Sequence, residues 1–307
     1  MEARVPLGKT GIMVSPVGLG TWQWGDYFVW RYGKGYSDQD LHAAFQVSLK
    51  AGINFFDTAE VYGRGRSERL LGQFLPEADR PVVVATKFMP LPWRLRRGAL
   101  AAALRASLKR LRLERVDLYQ IHWPFRPRVV EVWAEGLAEA VEAGLTGAVG
   151  VSNYSADQMS RAWEILAKRG IPLASNQVEY NLVNRRVERN GVLDRCRELG
   201  VTLIAYSPLA RGVLTGKYTP ENPPPGLRRR LVRPANLAAI QPLLRLMRDL
   251  DKPPPQIALA WLLAKGAVPI PGAKNARQAE QNAAALGCRL SAGEIAALDQ
   301  ESGKLPL

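Results

Sequence analysis

Short apolar runs alternate with amphipathic, helix-like segments along almost the whole chain. Eight of these runs have the character of buried parallel strands, and a segment with helical periodicity follows each of them. We expect the strands at 17–20, 55–57, 82–87, 116–122, 148–151, 175–179, 201–206 and 268–271. This alternation predicts an α/β protein that forms a closed (β/α)8 TIM barrel.

Further elements are expected at both ends of the barrel. Residues 4–7 and 11–14 flank a glycine-containing turn, which predicts an N-terminal β-hairpin that plugs the bottom of the barrel. Ser37 is expected to cap the first barrel helix. The segment 209–234 is long, basic and rich in proline, so we predict a loop there. Helices near 237–250 and 255–264, and two extra C-terminal helices through Ala284 and 295–298, are expected to complete the fold.

An open, doubly wound sheet is the competing fold. Its first strand is normally followed by the turn Gly-x-Gly-x-x-Gly. Gly63 and Gly65 begin such a pattern, but Glu68 stands where the third glycine belongs. We therefore prefer the barrel, with residues 1–307 as a single domain, because α/β barrels commonly reach this length.

The chain carries a net charge of +14, and its arginines concentrate at 94–115 and 228–230. A basic face of this kind can bind nucleic acid. The first cluster, however, is spread around a predicted helix without interleaved aromatic residues, and no nucleic-acid-binding motif is present. We therefore predict no nucleic-acid partner and interpret the charge as solvated barrel helices, whose positive field would attract an anionic cofactor.

Three sequence features bear on the compartment. The two cysteines, Cys196 and Cys288, do not have the spacing of a metal site or a redox pair. Residues 1–8 lack the apolar core of a signal peptide, and no apolar run is long enough to span a membrane. We expect a cytoplasmic protein with no metal and no membrane partner; its oligomeric state is not predicted.

Three successive predicted strands end on ionisable residues. Asp57 ends the second strand, with Tyr62 five residues later, while Lys87 ends the third strand and His122 the fourth. The carboxyl ends of parallel strands meet at one rim of a barrel, so we expect these side chains in one cavity. Tyrosine has a pKa of about 10, and a neighbouring ammonium group lowers that pKa. The pattern predicts a proton-donating Tyr62 whose pKa is lowered by Lys87, which Asp57 holds in place.

The later strands end in small polar groups that suit a nucleotide cofactor. Asn153 and Gln177 can both donate to and accept from a carboxamide, and Tyr206 can stack on a flat heterocycle. Lys274 stands between the last strand and the next helix, where barrels commonly bind phosphate. Each residue alone also fits capping, turn formation or core packing, so the interpretation depends on their occurrence at one rim.

These segments together resemble the aldo-keto reductase superfamily over essentially the whole chain. The similar segments are 18–22, 56–63, Lys87, His122, 150–153, 206–209 and 270–274. The resemblance implies a catalytic tetrad of Asp57, Tyr62, Lys87 and His122, with Tyr62 as general acid. The implied reaction is the reduction of aldehydes or ketones to alcohols by hydride transfer from NADPH, with His122 orienting the carbonyl.

The resemblance also implies the residues that bind NADPH. Those near the nicotinamide would be Ser152, Asn153, Gln177 and a stacked Tyr206, with Trp22 and Asp57 as further cofactor-binding residues. Those near the pyrophosphate would be Ser207, Leu209, Arg211 and Gly212. Those near the adenosine end would be Gly272, Lys274, Gln278, Gln281 and Asn282. The family often has Glu-Asn where this chain has Gln281 and Asn282, and a neutral amide can still accept from adenine through its oxygen.

The substrate is a small carbonyl compound on this interpretation. Trp24, Trp30 and Trp123 on the rim loops are expected to contact it, with Arg126 or Arg128 available for an anionic group. An equal alternative is that these aromatic residues only cover the rim. The resemblance extends to potassium-channel β-subunits, which makes a cofactor-binding redox-sensing or regulatory subunit with little turnover the alternative function.

Overall fold

The computed structural model describes residues 3–94, 96–124, 130–232 and 234–305. It begins with an antiparallel hairpin of β1 (Val5–Pro6) and β2 (Met13–Val14). The barrel strands are β3 (Leu19–Gly20), β4 (Phe55–Asp57), β5 (Val83–Phe88), β6 (Val116–Ile121), β7 (Thr146–Ser152), β8 (Leu173–Glu179), β9 (Thr202–Tyr206) and β10 (Val268–Pro269). The hairpin and all eight predicted strands are therefore present, with small differences at their ends.

The eight parallel strands pair in sequence order from β3 to β10, and the sheet closes where the first and last strands meet. There the amide of Gly20 donates to the carbonyl of Pro271 at 3.0 Å, and Gly20 also forms a parallel bridge with Gly272. A Cβ atom on Gly20 would lie 2.8 Å from the carbonyl oxygen of Ile270, so the close approach requires glycine. The predicted barrel is confirmed.

Helices cover the outside of the barrel. They are α1 (Asp38–Lys50), α2 (Arg66–Phe74), α3 (Arg97–Leu111), α4 (Val130–Glu142), α5 (Ala156–Ala167), α6 (Arg186–Arg189), α7 (Val192–Leu199), α8 (Arg228–Leu231), α9 (Pro234–Ala239), α10 (Gln241–Asp249), α11 (Pro254–Ala264), α12 (Ala276–Ala283) and α13 (Ala292–Gly303). Ser37 caps α1 as predicted, in a capping box with Asp40. The predicted loop at 209–234 is partly ordered into a 3-10 turn, Ala210–Thr215, and α8. In the described ranges, no helix combines the length and apolar character needed to cross a membrane.

Two apolar cores position the polar side chains. The larger core lies between the strands and the helices. The smaller one fills the inside of the barrel with residues such as Phe55, Leu118 and Ile204, and Leu7 and Val14 of the hairpin close it from below. Because the lower barrel is filled with apolar side chains, its polar interior positions lie at the carboxyl-terminal mouth.

Candidate active site

A buried ion pair lies inside the barrel mouth. Lys87 on β5 is fully buried, and its Nζ donates to Asp57 Oδ1 at 2.5 Å and to the carbonyl of Thr58 at 2.8 Å. Asp57 Oδ2 accepts from Gln177 Nε2 at 2.9 Å and from Gln120 Nε2 at 3.2 Å. Both carboxylate oxygens therefore have partners, which offsets the large cost of burying the two charges.

Tyr62 stands between this ion pair and the cavity at the mouth. Its hydroxyl accepts from Lys87 Nζ at 3.5 Å. The chain reaches it from β4 through a turn in which Gly63 and Arg64 take left-handed conformations, with φ of 54° and 55°. Burial and the Asp57 carboxylate raise the pKa of Tyr62 above its usual value. The predicted lowering of this pKa is therefore wrong, because burial and the nearby negative charge raise it.

His122 completes the group at the end of β6. Its ring meets that of Tyr62 edge to face, with centroids 5.7 Å apart. Burial and the charge of Lys87 lower the pKa of His122 to about 3, so the imidazole is neutral at physiological pH. Its Nδ1 is buried and has no hydrogen-bond partner within the described part of the chain. The structure thus brings Asp57, Tyr62, Lys87 and His122 together at the mouth of the barrel.

A cavity of about 600 Å³ extends from Tyr62 along the rim to the N-terminus of α12. Many of the residues predicted to bind the cofactor line it: Trp22, Asp57, Gln177, Tyr206, Ser207, Leu209, Arg211, Gly212, Gly272, Lys274, Gln278, Gln281 and Asn282. The cavity therefore reaches from Tyr62 to the segment after β10. This reach suits an extended ligand.

Ser152 and Asn153 are not among the residues that line this cavity, and their side chains form hydrogen bonds with other protein groups. Ser152 Oγ donates to the carbonyl of Gln177 at 2.7 Å. Asn153, at a φ of 62°, accepts from Tyr206 Oη at 3.0 Å and donates to the carbonyl of His122 at 3.1 Å. These bonds fix Tyr206 and His122 relative to each other, while direct contact of Ser152 and Asn153 with a nicotinamide stays a prediction.

The far end of the cavity is strongly basic. Lys274 Nζ donates to the carbonyl of Trp30 at 2.9 Å and lies 4.5 Å from the ring centroid of Tyr36. Burial, together with Arg228 and Lys217, lowers the pKa of Lys274 to about 7. Arg228 is only 8% exposed, and its guanidinium lies 5.1 Å from the ring centroid of Trp30. Several cations thus share a confined space in which an anion would relieve their repulsion.

Gln120 and Arg228 also belong to this site and are not among the predicted site residues. Gln120 points into the barrel two positions before His122, so the period-2 pattern of β6 contained a usable signal for it. Arg228 had been interpreted as part of a solvated arginine cluster. Nothing in the proline-rich segment around it indicates that its side chain turns inward, because that depends on packing against Trp30 and Tyr218.

The aromatic residues predicted to contact substrate have different positions. Trp24 is fully buried, packs on Phe74 and donates from its indole nitrogen to the carbonyl of Ala273 at 3.1 Å, so that prediction is wrong. Trp30 lines the cavity, but next to Lys274 rather than Tyr62, and it packs edge to face on Trp22. Trp123 follows His122 on the rim and is 48% exposed. Arg126 and Arg128 lie outside the described residues.

Comparison with known proteins agrees with this geometry. The chain matches the model of the Aldo/keto reductase family over residues 16–302. It is 42% identical to the chloroplastic pyridoxal reductase of Arabidopsis thaliana, in an alignment covering 99% of this chain and 87% of the relative. It is 34% identical to the L-glyceraldehyde 3-phosphate reductase of Escherichia coli (strain K12), covering 95% and 90%. Its fold is similar to that of the glycerol dehydrogenase of Gluconobacter oxydans, with a TM-score of 0.84 and 28% identity over 99% of this chain and 97% of the other.

The chain therefore belongs to the aldo/keto reductase family. The resemblance inferred from the strand-end motifs is confirmed, and so is an oxidoreductase barrel as the general class of protein.

Proposed function

We propose that this protein reduces aldehydes or ketones to alcohols with NADPH as cofactor and Tyr62 as proton donor. The observation that supports this most directly is the position of Tyr62. Tyr62 lines the cavity, and the Lys87 ammonium group lies 3.5 Å from its hydroxyl. A protonated hydroxyl facing a ligand site, with a fixed cation behind it, is suited to general acid catalysis.

The cavity fits a phosphorylated dinucleotide. Among the buried donors without a hydrogen-bond partner in the described ranges, three belong to residues that line the cavity: Trp30 Nε1, Arg211 Nε and Arg228 Nε. Buried donors normally have acceptors, and the oxygens of a polyanion would supply them here. Lys274 and Arg228 would hold a phosphate at the adenosine end, while Tyr206 would stack on the nicotinamide. When bound, the reduced nicotinamide would supply the hydride.

The protein's own contribution is the proton. Tyr62 keeps its proton at neutral pH because burial raises its pKa. The oxygen of a carbonyl under reduction becomes a much stronger base than a phenolate, so Tyr62 can still donate to it. Lys87 would then stabilise the resulting phenolate, and Asp57 keeps Lys87 in position through the bond at 2.5 Å. The neutral imidazole of His122 would orient the carbonyl oxygen without competing for the proton.

The substrate class is proposed from chemistry and similarity together. Two relatives are named for pyridoxal and for L-glyceraldehyde 3-phosphate, both of which are aldehydes. We therefore propose a small aldehyde as substrate, with Trp123 next to His122 as one wall of its site.

The two cysteines are unpaired in the structure, which fits a reducing compartment such as the cytoplasm.

Fluorescence titration with NADPH and NADH, followed by addition of 4-nitrobenzaldehyde while the absorbance of the reduced cofactor is monitored, tests the proposal. We expect saturable NADPH binding and aldehyde-dependent oxidation of the cofactor. Tight binding with no turnover of any aldehyde would instead favour the redox-sensing or regulatory subunit. Failure to bind either cofactor would overturn the proposal as a whole.

A further inference from the structure

A second ion pair lies on the rim beside the catalytic cluster. Glu60 is two residues before Tyr62, and Arg94 lies in the segment after β5. Arg94 Nη1 and Nη2 donate to the two carboxylate oxygens of Glu60 at 2.7 and 3.1 Å. The side chains are 11% exposed for Glu60 and 21% for Arg94. A bidentate, largely shielded pair of this kind holds its geometry well, yet the reaction proposed above gives it no role.

Glu60 joins the segments that carry Tyr62 and Lys87. Its Oε1 also accepts from the amide of Met89 at 2.8 Å, two residues beyond Lys87. Its own amide donates to the carbonyl of Lys87 at 3.4 Å. The exit of β4 is therefore tied to the exit of β5 through the main chain and the side chain of one residue.

Arg94 extends this link to His122. Its guanidinium lies over the ring of Phe88, 4.5 Å from the centroid. The carbonyl of Phe88 accepts from the amide of His122 at 2.8 Å. The Glu60–Arg94 pair thus connects the ends of three neighbouring strands, which together carry all four members of the cluster.

From these contacts we infer that Glu60, held by Arg94, is a positioning residue that sets the separation between Tyr62 Oη and Lys87 Nζ. The inference rests on the proposed function, in which Tyr62 donates a proton. That separation is 3.5 Å, at the outer limit of a hydrogen bond, so a small displacement of either segment breaks the contact. A displacement of about 1 Å at a catalytic group can lower turnover by about 100-fold.

Glu60→Gln tests this role at nearly constant side-chain volume. Glutamine offers one acceptor oxygen. If that oxygen keeps the bonds of Oε1 to the Met89 amide and to Arg94 Nη1, the bond from Arg94 Nη2 is lost and an uncharged NH2 group faces the guanidinium. We expect kcat to fall about 10- to 100-fold while KM changes less. In a Tyr62→Phe background the same change should alter the residual kcat by less than about twofold, because the two residues act as one unit.

Glu188→Gln is the matched control. Glu188 forms a partly buried bidentate pair with Arg185, at 3.0 and 2.5 Å, and does not line the cavity. This variant should lower Tm and leave kcat unchanged. The inference would be overturned if Glu60→Gln lowered kcat by the same factor in the wild-type and Tyr62→Phe proteins. It would also be overturned if Glu188→Gln lowered kcat as much as Glu60→Gln does, because such pairs would then only stabilise the fold.

A crystal structure of the Glu60→Gln variant provides a measure that does not depend on turnover. The distance from Tyr62 Oη to Lys87 Nζ should exceed 3.5 Å, and an unchanged distance would contradict the positioning role. A wild-type protein that reduces no carbonyl compound would count against the proposed function instead, and the distance alone would then decide the inference.

Discussion

Replacing Lys274 by methionine should weaken the binding of NADPH much more than the binding of NADH. Lys274 precedes α12 at the basic end of the cavity. The rings of Trp30 and Tyr36 lie against its ammonium group and exclude part of its hydration shell. NADPH carries a 2′-phosphate that NADH lacks, and this phosphate is the group that the lysine is proposed to bind. Methionine keeps most of the length of the side chain and removes the charge.

The expected size of the effect follows from the bond that is lost. A hydrogen bond to a charged group contributes about 1.5–3 kcal/mol, which corresponds to a change in Kd of about 10- to 150-fold. Lys274 is partly exposed, so screening at physiological ionic strength favours the lower part of that range. The Kd for NADH should change by less than about threefold.

The pH dependence gives an independent check on the same residue. The pKa of Lys274 is lowered to about 7 in the free protein, and a bound phosphate would raise it. Binding above pH 7 therefore requires uptake of a proton, and affinity for NADPH should fall as pH rises through 7. Between pH 6.5 and 8.5 the loss should be about 10- to 20-fold. The second pKa of the 2′-phosphate is about 6, so its ionisation only increases between pH 6.5 and 8.5, which would strengthen binding and cannot explain a loss of affinity.

Tryptophan fluorescence titration measures all of these Kd values, with NADH on the same protein as the control. Lys274→Met should abolish most of the pH dependence as well as weakening NADPH binding. Equal losses of affinity for the two cofactors would refute a phosphate contact. A flat NADPH profile in the wild type between pH 6.5 and 8.5 would refute the link to Lys274 ionisation.

Three further changes test other parts of the site. Tyr62→Phe should lower kcat by about 100-fold or more with little change in the Kd for NADPH; wild-type turnover in steady-state assays would exclude Tyr62 as the acid. Trp24→Ala should lower the free energy of unfolding by about 3–5 kcal/mol, because a fully buried indole is removed; urea denaturation that shows a loss below about 1 kcal/mol would place Trp24 outside the core. Arg228→Met should weaken NADPH binding at least several-fold; unchanged affinity in the fluorescence titration would mean that its unpaired Nε faces no phosphate.

The barrel and the polar cluster at its mouth were predictable because local signals specify them. Apolar runs with helical segments between them define strands, and the residue at the end of each strand must lie on the rim. Asp57, Lys87 and His122 were located in this way, from their positions in the chain.

Other features depend on contacts between distant segments. Trp24 is four residues after the cavity-lining Gly20, and only its packing against Phe74 and Ala273 shows that it belongs to the core. The pKa of Tyr62 depends on how deeply the mouth of the barrel is enclosed, which no spacing in the sequence describes. Arg228 turns inward for the same kind of reason.

The seam that closes the barrel has a consequence for local unfolding. β10 has only two residues, and the seam depends on main-chain bonds such as those from Gly18 to Pro269 at 2.9 Å and from Gly20 to Pro271 at 3.0 Å. Ile270, Pro271 and Gly272 also line the cavity. A ligand that binds there only when the seam is closed would shift the opening equilibrium towards the closed barrel, by mass action. In this barrel, the bound ligand would therefore also stabilise the closed seam.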